Sequence, residues 1–130
     1  MTTPEVPRVL CDTGELIAHA AEEAGALWRL AEPGRQLDAN VVRLLPGQRV
    51  DTHAEPDLDV LFLVLSGDGT LGTAEGTRQL AEGTLLWLPH TSSRSLAAGE
   101  RGLCYLTVHR RRPGMQIRRA PDADPAGRRS

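Results

Sequence analysis

Two stretches decide how this chain is read. The first is Gly47-Gln-Arg-Val-Asp-Thr-His53-Ala-Glu55, leading into Val60-Leu-Phe-Leu-Val-Leu-Ser-Gly67-Asp-Gly69. The second is Gly83-Thr-Leu-Leu-Trp-Leu-Pro89-His-Thr-Ser-Ser-Arg94. Each is a short run rich in Leu, Val and Thr, closed by Gly or Pro, which is the pattern of strands separated by tight turns. The same texture extends on both sides. Strands are expected over 26–30, 37–45, 59–66, 70–73, 77–81, 84–88, 94–97 and 103–109, with turn signals such as SGDG and AAGERG between them. Many short strands at close spacing predict an all-β sandwich or barrel. Residues 60–65 are apolar at every position. Both faces of that strand are therefore expected to be buried, one in the core and one against the N-terminal helix or a partner subunit.

Further out the pattern changes. The stretch 13–23, preceded by Asp12 and followed by Gly25, carries the features of a short capped helix. Residues 1–24 are read as an arm with this helix, 25–112 as the barrel, and 113–130 as a basic, disordered tail. The length of 130 residues fits one domain, and a content of 40% hydrophobic and 25% charged residues is that of a soluble globular protein. No apolar run reaches the roughly 18 residues of a membrane helix, and the start lacks the order of a signal peptide, so a cytoplasmic protein is expected. Cys11 and Cys104 stand in no metal or redox spacing. All 15 cations are Arg, and the net charge of −2 conceals an asymmetry. Seven Arg and two Asp from Arg110 onward carry +5, whereas eight Arg and 15 acids before it carry −7. With an acidic body and no interleaved aromatics, residues 110–112 read as a solvated strand end, and neither nucleic acid nor membrane is expected as a partner.

The two opening stretches resemble the paired motifs of the cupin superfamily, small double-stranded β-helix (jelly-roll) barrels. The first motif of that family runs Gly, five residues, His-x-His, three or four residues, Glu, six residues, Gly. The second runs Gly, five residues, Pro-x-Gly, two residues, His. Gly47, His53, Gly67, Gly83 and Pro89 meet those spacings in order. The resemblance spans roughly residues 37–109, and it implies a cupin barrel, commonly a homodimer. The family's motifs also imply a metal site, and here this sequence departs from them. His53 is kept, but the second His position is Glu55, the Glu position counted back from Gly67 is Val60, and the last His position is Arg94. No metal or other cofactor is therefore expected.

Side chains two apart on a strand share a face, so His53 and Glu55 point the same way. An inward Arg94 would meet Glu55 in a bidentate pair, either bracing the barrel or holding donors ready for a small anion. His53, Glu55 and Arg94 are thus the candidate cavity floor. Histidine is the side-chain type suited to proton transfer near neutrality. Trp28 and Trp87 are expected as core or cavity-wall aromatics, and Cys104 as a buried small hydrophobe.

Three readings of function follow. In the first, the cavity binds a small molecule, an anion among the candidates, without a regular metal centre. In the second, the chain is a metal-dependent dioxygenase, isomerase or cyclase whose irregular ligands are His53, Glu55 and Asp59, with His109 as a further donor. In the third, it is a non-catalytic dimeric module with a cavity filled by side chains.

Overall fold

A computed structural model of the chain describes residues 6–20 and 22–112. Residues 1–5 of the expected N-terminal arm and the whole of the expected basic tail, 113–130, lie outside that range. The order of elements is α1 (Thr13–His19), β1 (Gly25–Arg29), β2 (Leu37–Leu44), β3 (Arg49–Ala54), β4 (Val60–Thr73), β5 (Gly76–Ala81), β6 (Leu85–Leu88) and β7 (Ser93–Arg110). All strand pairs are antiparallel. The architecture is the expected all-β jelly roll with one short helix.

The difference from expectation lies in β4 and β7. Four expected strands merge into two long ones of 14 and 18 residues. SGDG and AAGERG are thus corners within strands rather than turns between them. The two long strands run side by side, and each changes its outer neighbour at the corner. Beyond the core pair 61–67 with 103–108, β7 continues to β2 and β4 continues to β6. Beyond 69–73 with 94–98, β7 continues to β3 and β4 to β5. One hydrogen-bonded sheet is thereby folded over on itself. The buried cluster joins the two halves, with Val60, Phe62 and Val64 from one and Leu71, Leu80 and Leu96 from the other. Phe62 and Tyr105 stack at its centre, with ring centroids 4.3 Å apart.

Glycine is required at the corner. Gly67 has φ 86° and Gly102 φ 76°, and a Cβ on Gly67 would lie 2.1 Å from the Gly102 carbonyl oxygen. The register between the strands shifts there, as a bend of this kind demands.

The helix is shorter than expected, seven residues with none buried. The Asp12 carboxylate caps it by accepting from the Glu15 amide. Its C-terminal carbonyls are held by the Arg43 guanidinium, which donates to Ile17 O at 2.9 Å and Ala20 O at 2.8 Å. This docks α1 over β2 and β7, where Cys104 is buried as expected. The helix leaves the β4–β6 half of the same face uncovered. Residues 60–65 therefore alternate instead of being buried on both sides, with Val60, Phe62 and Val64 inside and Leu61 44% exposed. Trp87, across from Leu61 on β6, is 59% exposed and so is not a core aromatic.

One residue is strained. Thr91, at the third position of the Pro-x-Gly step, has φ 69°, a left-handed conformation that favours Gly and is costly for a β-branched side chain. It is held there because its amide donates to the Glu55 carbonyl at 2.7 Å. Thr91→Gly is expected to raise stability by about 0.5–1 kcal/mol, read as a higher urea midpoint with an unchanged slope.

Candidate functional site

The polar end of the barrel opens as a cavity of about 950 Å³. His53, Glu55 and Arg94, the three expected floor residues, all line it. β3 and β7 bring the first and last together, since His53 and Arg94 are direct cross-strand partners and share a face. Arg94 is 4% exposed, and with Thr107 it forms the buried polar pair of the described residues.

The expected bidentate contact between Glu55 and Arg94 does not form. Glu55 instead accepts from the Asp57 amide at 2.9 Å and is ion-paired with Arg112. Residue 112 was expected to be a solvated strand end. The end of β7 returns it to the cavity mouth, a long-range consequence of the β2–β7 register that no local pattern announces. Arg94 donates through Nη1 to Ser92 O at 3.2 Å and Ser92 Oγ at 3.5 Å, and feels Glu55 only through space. Burial pushes the Arg94 guanidinium down from its ordinary value, and the charge of Glu55 acts in the opposite direction.

Glu55 is held below the usual glutamate range. Burial alone would raise it, but the Asp57 amide, the hydrogen bond and charge of Arg112 and the charge of Arg94 together outweigh that. A carboxylate lowered on folding stabilises the fold fully above its unfolded pKa, and that contribution is lost as pH falls through the folded value. Stability is therefore expected to drop on acidification from about pH 4.5 downward. Urea melts at neutral and acidic pH will show a smaller drop for Glu55→Gln than for the native chain.

His53 Nδ1 lies 3.0 Å from the Asp51 carbonyl. A carbonyl only accepts, so Nδ1 donates, and in the neutral ring Nε2 is the acceptor. On the other half of the folded sheet Asn40 and Thr107 are cross-strand partners lining the same cavity, and the Thr107 hydroxyl donates to Asn40 Oδ1 at 2.6 Å. Neither was singled out from the sequence, because a lone Asn or Thr in a β-rich segment carries no local signal. Arg35 is bonded to Asp38 at 2.9 Å on the rim. Neither Trp28 nor Trp87 lines the cavity.

The residues do not fit a divalent metal. At the four positions where the fold family places ligands stand His53, Glu55, Val60 and Arg94, and Val60 is a buried hydrocarbon while Arg94 brings a fixed positive charge into the same space. Nor does the irregular set His53, Glu55 and Asp59 come together. Val60 points inward, so Asp59 turns outward, where it accepts from the His90 amide at 2.9 Å and the His90 ring at 2.7 Å. Those bonds hold the Asp59 carboxyl below its usual range. Among the described residues no three His, Cys, Asp or Glu side chains gather as a metal-binding group, His109 included. No helix among them is long and apolar enough to cross a membrane.

No family model and no curated protein matches the sequence. Solved structures do match. A cupin-2 domain protein from Shewanella frigidimarina is 15% identical with a TM-score of 0.65, over 78% of this chain and 95% of that one. A conserved protein of unknown function from Streptococcus pyogenes is 22% identical with a TM-score of 0.62, over 87% and 95%. KdgF from Halomonas sp. is 21% identical with a TM-score of 0.59, over 68% and 80%. At these identities the likeness establishes the fold alone.

Proposed function

We propose that this chain, which has the cupin fold, binds a small anion in its barrel cavity, with Arg94 as the receptor and His53 and Glu55 beside it. One observation carries the reading. Arg94 is 4% exposed, yet among the described residues no carboxylate lies within ion-pair distance of it and no group accepts from its Nε or Nη2. A buried guanidinium in that condition costs stability, and an anion bound against it recovers the loss. If chemistry accompanies binding, His53 Nε2 is the proton acceptor next to the anion.

A thermal-shift series with acetate, phosphate and citrate at fixed ionic strength tests this. At least one anion is expected to raise the melting temperature of the native chain and to leave that of Arg94→Met unmoved. If no anion raises it, or if both proteins respond equally, the reading falls.

A second observation supports a homodimer. Leu61 (44% exposed), Leu85 (64%) and Trp87 (59%) lie together on β4 and the edge strand β6, beyond the reach of α1. An uncharged apolar patch is complementary to its own copy across a two-fold axis. Light scattering is expected to give a dimer mass for the native chain and a monomer for Trp87→Glu. A monomeric native chain would overturn this reading.

A further inference from the structure

The side chains around Arg94 restrict which anion the cavity accepts. Resting on the anion-binding reading above, we infer that the ligand is a small monocarboxylate carrying a hydroxyl or carbonyl oxygen on its carbon skeleton.

The first restriction is charge. Of the cations lining the cavity, Arg35 is bonded to Asp38, Arg112 is ion-paired with Glu55, and Arg29 is solvent-exposed. Arg94 is the buried cation without a carboxylate in contact. Arg94 thus supplies the buried positive charge, flanked by Glu55, and a monoanion is neutralised against it. A dianion would bring a second negative charge towards existing carboxylates in a space of reduced dielectric, where like charges repel strongly.

The second restriction is shape. With Nη1 committed to Ser92, Nε and Nη2 present two parallel N–H donors in one plane. That edge matches the two oxygens of a carboxylate in a bidentate pair.

The third comes from the other half of the folded sheet. Thr107 is 3% exposed and donates to Asn40 Oδ1, which turns the Asn40 amide nitrogen away from that bond with no acceptor among the described residues. Two N–H donors at the polar wall call for an oxygen acceptor on the ligand. Val50, Leu58 and Val60 add apolar lining to the cavity, which suits a short carbon skeleton. A site built to hydrogen-bond a ligand oxygen discriminates against the analogue that lacks it, because its own donors are then left unpaired.

The test is a titration of the full-length, nitrogen-15-labelled chain followed by amide and Arg Nε cross-peaks, with 3-hydroxybutyrate, butyrate, inorganic phosphate and 1,3-butanediol as probes. 3-Hydroxybutyrate is expected to bind at least about fivefold more tightly than butyrate, the worth of one hydrogen bond. Phosphate and the diol are expected to bind more weakly than either carboxylate. Asn40→Ala, or Asn40→Leu where the shape must be kept, is expected to reduce 3-hydroxybutyrate to the level of butyrate. Arg94→Lys keeps the charge but loses the bidentate edge, and is expected to weaken both carboxylates at least about tenfold. Equal affinity for the two carboxylates, or tighter binding of phosphate that is lost in Arg94→Lys, overturns the ligand class and leaves the anion site standing. If no probe causes a shift that depends on Arg94, both the class and the anion-binding reading fall.

Discussion

Arg94→Met is expected to stabilise the fold by about 1–3 kcal/mol, the range seen when buried ionic groups give way to apolar ones of similar volume. The sign is the informative part. A cation holding the barrel together through a carboxylate would cost about 3–5 kcal/mol on removal, because it would leave a buried charge unpaired. Here Glu55 keeps its Asp57 amide bond and its Arg112 partner whether or not Arg94 is present, so removal strands no carboxylate. What Arg94 loses is two bonds to Ser92, one of them at 3.5 Å, and the through-space attraction of Glu55. Those gains are small beside the desolvation of a guanidinium that is 4% exposed. A lower urea midpoint for Arg94→Met would assign the residue to bracing the barrel. A higher midpoint, together with the loss of anion response, would identify a residue kept at the expense of stability.

The second large effect is expected at Gly67→Ala, a loss of about 3 kcal/mol or more. Two penalties combine there. The left-handed φ of 86° is costly for any residue with a Cβ. The new methyl would also lie 2.1 Å from the Gly102 carbonyl oxygen and 3.2 Å from the Leu103 Cα, both backbone atoms that no rotamer can move aside. Relief requires β4 and β7 to separate at the corner where the sheet folds over, and the packing of Leu103 and Tyr105 depends on that corner. A control at Gly83→Ala meets no atom within 4 Å and is expected to show only the milder cost of its own positive φ. Equal losses at the two sites would mean that the close approach contributes nothing.

Much of this architecture is legible in the chain because its signals are local. Glycines at 47, 67 and 83 mark backbone with positive φ, and alternation places His53 with Glu55 on one face. Alternation puts Asp59 and Val60 on opposite faces, and it is the structure that turns Val60 inward and Asp59 outward to His90. The same local view fails where two segments distant in sequence meet. SGDG looks like a hairpin turn until β7 runs alongside it on both sides of the corner. The run 60–65 looks doubly buried until the short reach of α1 leaves Leu61 uncovered.

Sequence alone therefore determined the strand-rich fold and the shared face of His53 and Glu55, which depend on backbone conformation and period that neighbouring residues dictate. That Arg94 stands where a metal-binding His would be expected comes from the resemblance to the cupin motifs. Only the tertiary structure decided which acid pairs with which cation. Glu55 and Arg112 are 57 residues apart, and Asn40 and Thr107 are 67 apart. Side-chain pairing of that kind is set by strand register across the folded sheet, and register is a property of the whole packed core rather than of any one segment.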